Sequence, residues 1–289
     1  MSAHFSEIPF VSADWLDTNR SRADVVIVDG TWHLPPTGRS GPKEFAEAHI
    51  PGALFVNIDT LADLTSGLPH MLPKPEQFAR DIGAMGISAS DTIVVYDQLG
   101  LFTAPRVAWM FRIYGARDVR ILEGGLPRWV KEGRAVTTEI AERIPTVFAA
   151  SLDDAMVANL EMVQKALAQS QIQVVDARPS ARFQGEAPEP RAGVRAGHMP
   201  GSLNLPFDRI VSDGALKSPD EIRAAMQDAG IDPTKPVICS CGSGVSAAII
   251  AMALTRADVP VSGLYDGSWA EWGARHDLPM ATGPAKPVQ

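Results

Sequence analysis

The sequence is poor in cysteine. Its 289 residues hold two, Cys239 and Cys241. Two thiols in a chain of this length build no disulfide framework and fit free thiols in a reducing compartment. Long apolar runs are missing too, since nothing approaches the stretch needed to cross a bilayer. Basic charge is scarce. With 26 Lys and Arg against 34 Asp and Glu, the formal net charge is −8, the reverse of the basic face a general nucleic-acid binder carries. The opening stretch Met1 to Phe10 has neither the basic-then-apolar order of a secretory leader nor the Arg enrichment of a mitochondrial one. These absences predict a cytoplasmic protein with no nucleic-acid and no membrane partner. A small anionic ligand remains compatible, because a cleft can be locally positive on an acidic protein.

What is present is a globular composition, 45% hydrophobic and 21% charged, and one internal repeat. His49-Ile-Pro-Gly-Ala matches His198-Met-Pro-Gly-Ser. Val25 to Asp29 matches Gln173 to Asp176, and Val94 to Asp97 matches Val237 to Cys241. Glu123-Gly-Gly matches Asp266-Gly-Ser, each with a Trp following, Trp129 in one half and Trp269 and Trp272 in the other. The unit is a whole domain. The expected division is a first domain over 1–145, a linker over 146–158 and a second domain over 159–289. Short β-branched runs alternate with amphipathic stretches. Phe78 to Met85 and Ile222 to Ala229 read as helices closed by Gly86 and Gly230. Ala104 to Tyr114 and Val245 to Arg256 read as longer helices. This alternation predicts α/β domains, each a mostly parallel sheet with helices on both faces.

The chemistry concentrates in Pro236-Val-Ile-Cys-Ser-Cys241-Gly-Ser-Gly-Val-Ser-Ala247. A buried strand is expected to run to Ser240, with a glycine-bearing loop and then a helix. Cys241 then stands at the C-terminal end of a parallel strand, where such sheets bind ligands. Gly242 and Gly244 let the chain curl so that amides of Gly242, Ser243, Gly244, Val245 and Ser246 can surround an anion. A free cysteine is mostly thiol at neutral pH, and a cradle of this kind favours the thiolate. Core packing is the competing role for any lone cysteine. For Cys239, inside the apolar run, packing is the better reading. A Cys-x-Cys metal pair lacks further ligands nearby in the sequence.

The repeat and the loop together resemble the tandem-domain rhodanese family, the thiosulfate and 3-mercaptopyruvate sulfurtransferases. The resemblance spans nearly the whole chain. It includes Gly38-Arg, Glu44-Phe, His49-Ile-Pro-Gly-Ala, His70-Met-Leu-Pro, Ala104-Pro-Arg-Val, Arg182-Phe-Gln-Gly, Glu189-Pro-Arg, Gly197-His, Cys241-Gly-Ser-Gly-Val-Ser-Ala and Tyr265-Asp-Gly-Ser-Trp. It implies two tandem rhodanese-like domains. The first is inactive, and Asp97 accordingly stands where Cys241 stands in the second. It also implies a Cys241 persulfide charged by 3-mercaptopyruvate or thiosulfate and discharged to a thiol such as thioredoxin or a small thiol, or to cyanide. No cofactor and no metal are implied.

By the same resemblance, Arg182 first and Arg191 with it bind the donor's carboxylate and keto groups. The long Arg-rich loop from Arg178 to Arg195 suits that task. The competing reading pairs them with Glu186 and Glu189 on the surface. A Ser-His-Asp relay proposed for the family maps onto Ser243 and His49, with His49 facing the inter-domain cleft. The family Asp falls on Ser40, which breaks the relay. A structural role for His49, capping the Pro51-Gly52 turn, competes on equal terms, since His198 occupies the equivalent place in the other repeat. The neutral Gly242-Ser243 pair favours 3-mercaptopyruvate over thiosulfate, whose relatives carry cations in this loop. A Cys-dependent phosphatase would need Arg at position 247, and Ala247 stands there. A non-catalytic binding module is disfavoured by the presence of Cys241.

Overall fold

The computed structural model describes residues 8–285. Most of the opening stretch read above for a leader, residues 1–7, lies outside them. The first domain runs β1 (Phe10–Val11), α1 (Ala13–Asn19), β2 (Val25–Asp29), α2 (Gly41–Glu47), β3 (Leu54–Phe55), α3 (Pro75–Ala84), β4 (Thr92–Tyr96), α4 (Ala104–Ile113), β5 (Asp118–Leu122) and α5 (Gly125–Lys131). The second runs β6 (Val157–Ala158), α6 (Leu160–Gln169), β7 (Gln173–Asp176), α7 (Ser180–Phe183), β8 (Leu203–Asn204), β9 (Val211–Ser212), β10 (Ala215–Leu216), α8 (Pro219–Asp228), β11 (Val237–Ser240), α9 (Ala247–Arg256), β12 (Val261–Tyr265) and α10 (Ser268–Trp272). The two five-stranded sheets have the same order, β1-β5-β4-β2-β3 and β6-β12-β11-β7-β8. Every pairing within them is parallel. The expected mostly parallel α/β domains are therefore present, and the second adds the antiparallel hairpin β9–β10.

The local signals account for the elements. All five residues of β2 and all four of β11 are buried, as a strand covered on both faces requires. Gly86 and Gly230 follow α3 and α8 at φ +74° and +72°, the left-handed cap that their position after an apolar stripe predicts. Ser218 starts α8 with a full capping box to Glu221. Helix α9 begins two residues later than its periodicity suggests, because Val245 and Ser246 belong to the loop after Cys241.

Residues 146–158 run largely exposed but are anchored at both ends. Phe148 is buried between Phe78 and Phe111 of the first domain. Val157 and Ala158 already form β6 in the second sheet. The domains meet along α4 and α9, which pack on each other. Residues Ala104–Phe111 and Ala247–Leu254 are buried without a break, and one apolar core runs through both domains. A helix apolar all round, as α9 is over Ala247–Leu254, belongs in such a place. The β9–β10 hairpin reaches the first domain at its tip, where Gly124 N–H donates to Gly214 O at 3.2 Å. A Cβ on Gly100 would come within 2.7 Å of the Gly214 Cα, so this approach needs glycine. Among the described residues, no helix is long and apolar enough to cross a membrane.

Candidate active site

Strand β11 lies between β7 and β12 and stops at Ser240. Cys241 follows at once, 2% exposed, on the wall of a cavity of about 200 Å³. Gly242, Ser243, Val245 and Ser246 line the same cavity. Across it stand Trp32, Leu34 and Phe102 from the first domain and Phe207 from the second. The site is thus an inter-domain pocket with one apolar wall.

Cys239 is fully buried in the middle of the sheet, level with Val175 and Leu264. Burial pushes its thiol well above the ordinary range, with Cys241 adding to the effect. It is a core residue.

Gly244 departs from the cradle expected over 242–246. Its N–H donates to Ser268 Oγ at 3.1 Å, as does the N–H of Cys241 at 3.2 Å. The carbonyls of Cys241 and Gly242 accept from Trp269 N and Ala270 N, both at 2.9 Å. In a trans peptide, C=O and N–H point opposite ways. The amides of Gly242 and Ser243 therefore point away from α10, and the donor set loses Gly244.

The first domain holds the corresponding loop shut. Asp97 follows β4 as Cys241 follows β11. Its Oδ2 accepts from the N–H groups of Phe102, Thr103 and Ala104 at 2.7–2.8 Å, and its Oδ1 from Leu99 N–H at 2.8 Å. The loop is an anion cradle that carries its own anion.

His49 is corrected by the structure. Its ring is buried, stacked on Phe45 at 4.0 Å, with Nδ1 at 2.6 Å from Phe45 O and Nε2 at 3.0 Å from Glu139 O. It makes none of its hydrogen bonds to the second domain. His198 repeats the arrangement on Phe183, with a ring separation of 3.9 Å and Nδ1 at 2.9 Å from Phe183 O. Both histidines tie a turn to the preceding helix.

The histidine at the cavity is His70. Its Nδ1 lies 3.0 Å from Ser243 Oγ and its Nε2 3.0 Å from Asp59 Oδ1. A carboxylate only accepts, so Nε2 carries the proton and Nδ1 accepts from the Ser243 hydroxyl. Trp32 Nε1–H also donates to Asp59 Oδ1 at 3.0 Å, and its ring meets His70 edge-on at 4.7 Å. Burial lowers the His70 pKa against the pull of Asp59, which favours the neutral ring. The bond from His70 holds Asp59 below the usual carboxylate range. Ser40, nine residues before His49, takes no part in this chain of contacts. Two signals pointed to His70: the motif His70-Met-Leu-Pro and its place in the long loop between β3 and α3. The clearer motif at His49 obscured them.

Arg106 is another residue the sequence reading left unassigned. Fully buried on α4, it donates from Nη2 to His70 O at 2.7 Å and to Asp266 Oδ1 at 2.6 Å. Its Nη1 lies 3.5 Å from Gly244 O, and the guanidinium sits 4.7 Å above the Trp109 ring. Asp266 Oδ2 accepts from Leu72 N–H at 2.8 Å. One buried ion pair from both domains thus fixes the His70 loop against the Cys241 loop.

The two expected substrate arginines differ. Arg182 lies over Gly242, where a Cβ would be 3.1 Å from its Nη2. The backbone of Gly242 does not have positive φ, so Arg182 is what crowds a side chain there. Its guanidinium is already paired with Glu189, at 2.5 and 3.2 Å. Glu189 also holds Arg178 at 2.7 Å, and Arg178 pairs with Asp176. Arg191 lines the cavity with no hydrogen bond to a described residue. Burial lowers its pKa, and the Cys241 sulfur partly offsets this. Sequence reasoning ranked Arg182 first. Arg191 is the cation at the thiol without a direct carboxylate bond to a described residue, Asp59 and Glu189 acting on it only through space.

The rhodanese-like domain model matches residues 12–132 and 159–275. The chain is 43% identical over 272 residues to 3-mercaptopyruvate sulfurtransferase of Escherichia coli K12, covering 94% of this chain and 97% of that one. It is also 42% identical over 280 residues to thiosulfate sulfurtransferase of Cricetulus griseus, covering 94% and 93%. The crystal structure of the 3-mercaptopyruvate sulfotransferase SseA from Escherichia coli superposes with a TM-score of 0.85 at 40% identity, covering 91% of this chain and 99% of that one.

Proposed function

The chain belongs to the tandem-domain rhodanese family of sulfurtransferases, and from that premise we propose that it carries sulfur from 3-mercaptopyruvate to a thiol acceptor, or to cyanide, as a persulfide on Cys241. The chemistry follows from the pocket. The Cys241 thiolate attacks the thiol sulfur of the donor. The new S–S bond forms as the C–S bond breaks, and the electron pair leaves as the enolate of pyruvate. That enolate takes a proton and departs as pyruvate. Arg191, with Arg182 beside it, binds the carboxylate and polarises the ketone by charge-assisted contacts. The amides of Gly242, Ser243, Val245 and Ser246 hold the persulfide anion. An acceptor thiolate then takes the outer sulfur. Two half-reactions on one covalent carrier give ping-pong kinetics.

The observation that carries the choice of donor is the chain Ser243–His70–Asp59 at the thiol. The enolate needs a proton and the donor's thiol has one to lose; the neutral imidazole, held by the Asp59 carboxylate, can take it through the Ser243 hydroxyl and return it to the enolate. Sulfite leaving thiosulfate needs none. The apolar wall of Trp32, Leu34 and Phe102 suits the three-carbon body. The neutral loop supports this choice less than the sequence suggests, because Arg182 and Arg191 bring cations to the thiol from another loop. Relatives of almost equal identity carry the names of both donors, so identity does not decide. Relative kcat/KM values for the two donors, with pyruvate and sulfite measured as products, test the reading. A thiosulfate preference would assign the protein to the other branch. The buried, free thiols fit a reducing compartment such as the cytoplasm.

A further inference from the structure

The two domains differ at one position behind the cradle. Glu123-Gly-Gly125 in the first domain corresponds to Asp266-Gly-Ser268 in the second. Both third residues adopt the left-handed conformation, Gly125 at φ +53° and Ser268 at φ +49°. Glycine is the ordinary occupant of that region. In the first domain a Cβ on Gly125 would lie 2.4 Å from Asp97 O and 2.9 Å from Gly100 Cα. The second domain places a fully buried side chain there despite the conformation.

The hydroxyl of that side chain is fully engaged. It accepts from Cys241 N–H at 3.2 Å and Gly244 N–H at 3.1 Å, and donates to Tyr265 O at 2.7 Å. The next two residues, Trp269 and Ala270, hold the carbonyls of Cys241 and Gly242. The two bonds to the hydroxyl and the two to these carbonyls fix the loop's peptide planes from behind. With those carbonyls turned toward α10, the N–H groups of Gly242 and Ser243 face the other way. Preorganised donors of this kind cost no reorganisation when charge develops.

We propose that Ser268 is a positioning residue for sulfur transfer, its hydroxyl clamping Cys241 and Gly244 so that the remaining loop amides face the Cys241 sulfur. The proposal rests on Cys241 as the sulfur carrier. Loss of the hydroxyl strands two N–H groups, frees the loop to re-pair them and loosens the cradle. The effect falls on chemistry rather than on donor binding, because Arg182 and Arg191 lie on another loop.

The test compares Ser268→Ala and Ser268→Gly with the unmodified protein. Glycine suits the backbone, as Gly125 shows, and alanine keeps the conformational cost. Each is assayed for kcat and KM with 3-mercaptopyruvate and for the pH profile of iodoacetamide alkylation at Cys241. The expected result is a fall in kcat of about tenfold or more in both variants, little change in KM, and an alkylation profile moved to higher pH. A folded Ser268→Gly with unchanged kcat and alkylation profile would overturn the proposal. So would loss confined to Ser268→Ala, which would mean backbone strain alone. Should neither variant fold, amide hydrogen exchange on the unmodified protein decides. Protected Cys241 and Gly244 amides are expected, and exchange as fast as in exposed loops would refute the clamp. Absence of any Cys241 persulfide in the unmodified protein would instead defeat the reading of the site itself.

Discussion

The loops after β4 and β11 solve one problem in two ways. Each leaves the middle of a parallel sheet and feeds a buried helix, and each turns backbone donors inward. In the first domain Asp97 fills the space with its own carboxylate, satisfying four amides. In the second the same place is taken by Cys241. Counted in bonds, the carboxylate oxygen of Asp97 stands where the outer sulfur of a Cys241 persulfide would stand, Cβ–Cγ–Oδ against Cβ–Sγ–Sδ. The first domain therefore displays how the second would hold a charged intermediate on Cys241. The loops also differ in length, with six residues between Asp97 and Ala104 and five between Cys241 and Ala247. What surrounds them differs more. The second has Ser243, the two arginines and a histidine lent by the other domain. Ser243 has a leucine, Leu99, at the equivalent distance in the first. The comparison teaches that an anion cradle is a scaffold feature and that transfer needs the added groups.

The sharpest way to break the comparison is at the two strand ends. Cys241→Ser should abolish sulfur transfer, while Cys239→Ser retains most of it, as measured by pyruvate release. Asp97→Cys should gain no persulfide, because the groups that charge one are absent there. Sulfur found on the introduced thiol after donor treatment would show that the cradle alone suffices.

Next in size is the borrowed histidine. His70→Ala should lower kcat/KM for 3-mercaptopyruvate by roughly a hundredfold or more, the usual range for a lost proton relay. The loss with thiosulfate should be smaller. His49→Ala should act through folding, lowering Tm with kcat/KM per folded molecule nearly unchanged. Equal catalytic loss from both would contradict the assignment.

The arginines give a smaller effect. Arg191→Ala should cost roughly ten- to a hundredfold in kcat/KM, the scale of a charge-assisted contact of about 1.5–3 kcal/mol. Arg182→Ala should cost less, because part of its charge is already spent on Glu189. A reversed ranking in donor titrations would restore the order inferred from sequence.

The smallest effect concerns the paired aspartates Asp29 and Asp176. Asp176 is matched by buried Arg178, whereas Asp29 Oδ2 has no hydrogen-bond partner among the described residues. Burial pushes Asp29 up to about 6. The folded carboxyl thus holds its proton more tightly than the unfolded chain does. Stability is unaffected below about pH 4, falls between about pH 4 and 6, and is lowest above that. Asp29→Asn should therefore stabilise the protein by about 1–2 kcal/mol at pH 7.5 and not at pH 4, less than the roughly 3 kcal/mol that a shift of this size represents, because the new amide N–H groups are buried in turn. Thermal melts at the two pH values check the sign.

Much of this was legible in the sequence. The repeat, the strand ends, the glycine caps and the position of Cys241 are local signals, set by periodicity and backbone preference. The apolar stripes of α4 and α9 were legible too, but not that they face each other. His70, Asp59 and Arg106 escaped because they lie in the first domain and act on the second. The partners of His70 and Arg106 are 173 and 160 residues away, and only the helix-on-helix docking of the domains brings them together, whereas Asp59, 11 residues before His70, acts through it. The motif at His49 misled for a related reason. It repeats at His198 because both domains need the same turn, and a symmetric feature cannot explain an asymmetric activity. Ser268 was visible as one letter of difference between two matched motifs. Its meaning required the left-handed backbone angle and the two amides on its hydroxyl.

The central claim is that sulfur rides on Cys241 in the open one of two like cradles. The direct measurement is to treat the protein with one equivalent of 3-mercaptopyruvate without acceptor, quantify pyruvate, and map sulfur on the peptides by mass. The account predicts one pyruvate released for each sulfur atom gained, all of it on the Cys241 peptide, and its loss on adding a thiol. Pyruvate formed with no sulfur on Cys241, or with sulfur on Cys239, would contradict it.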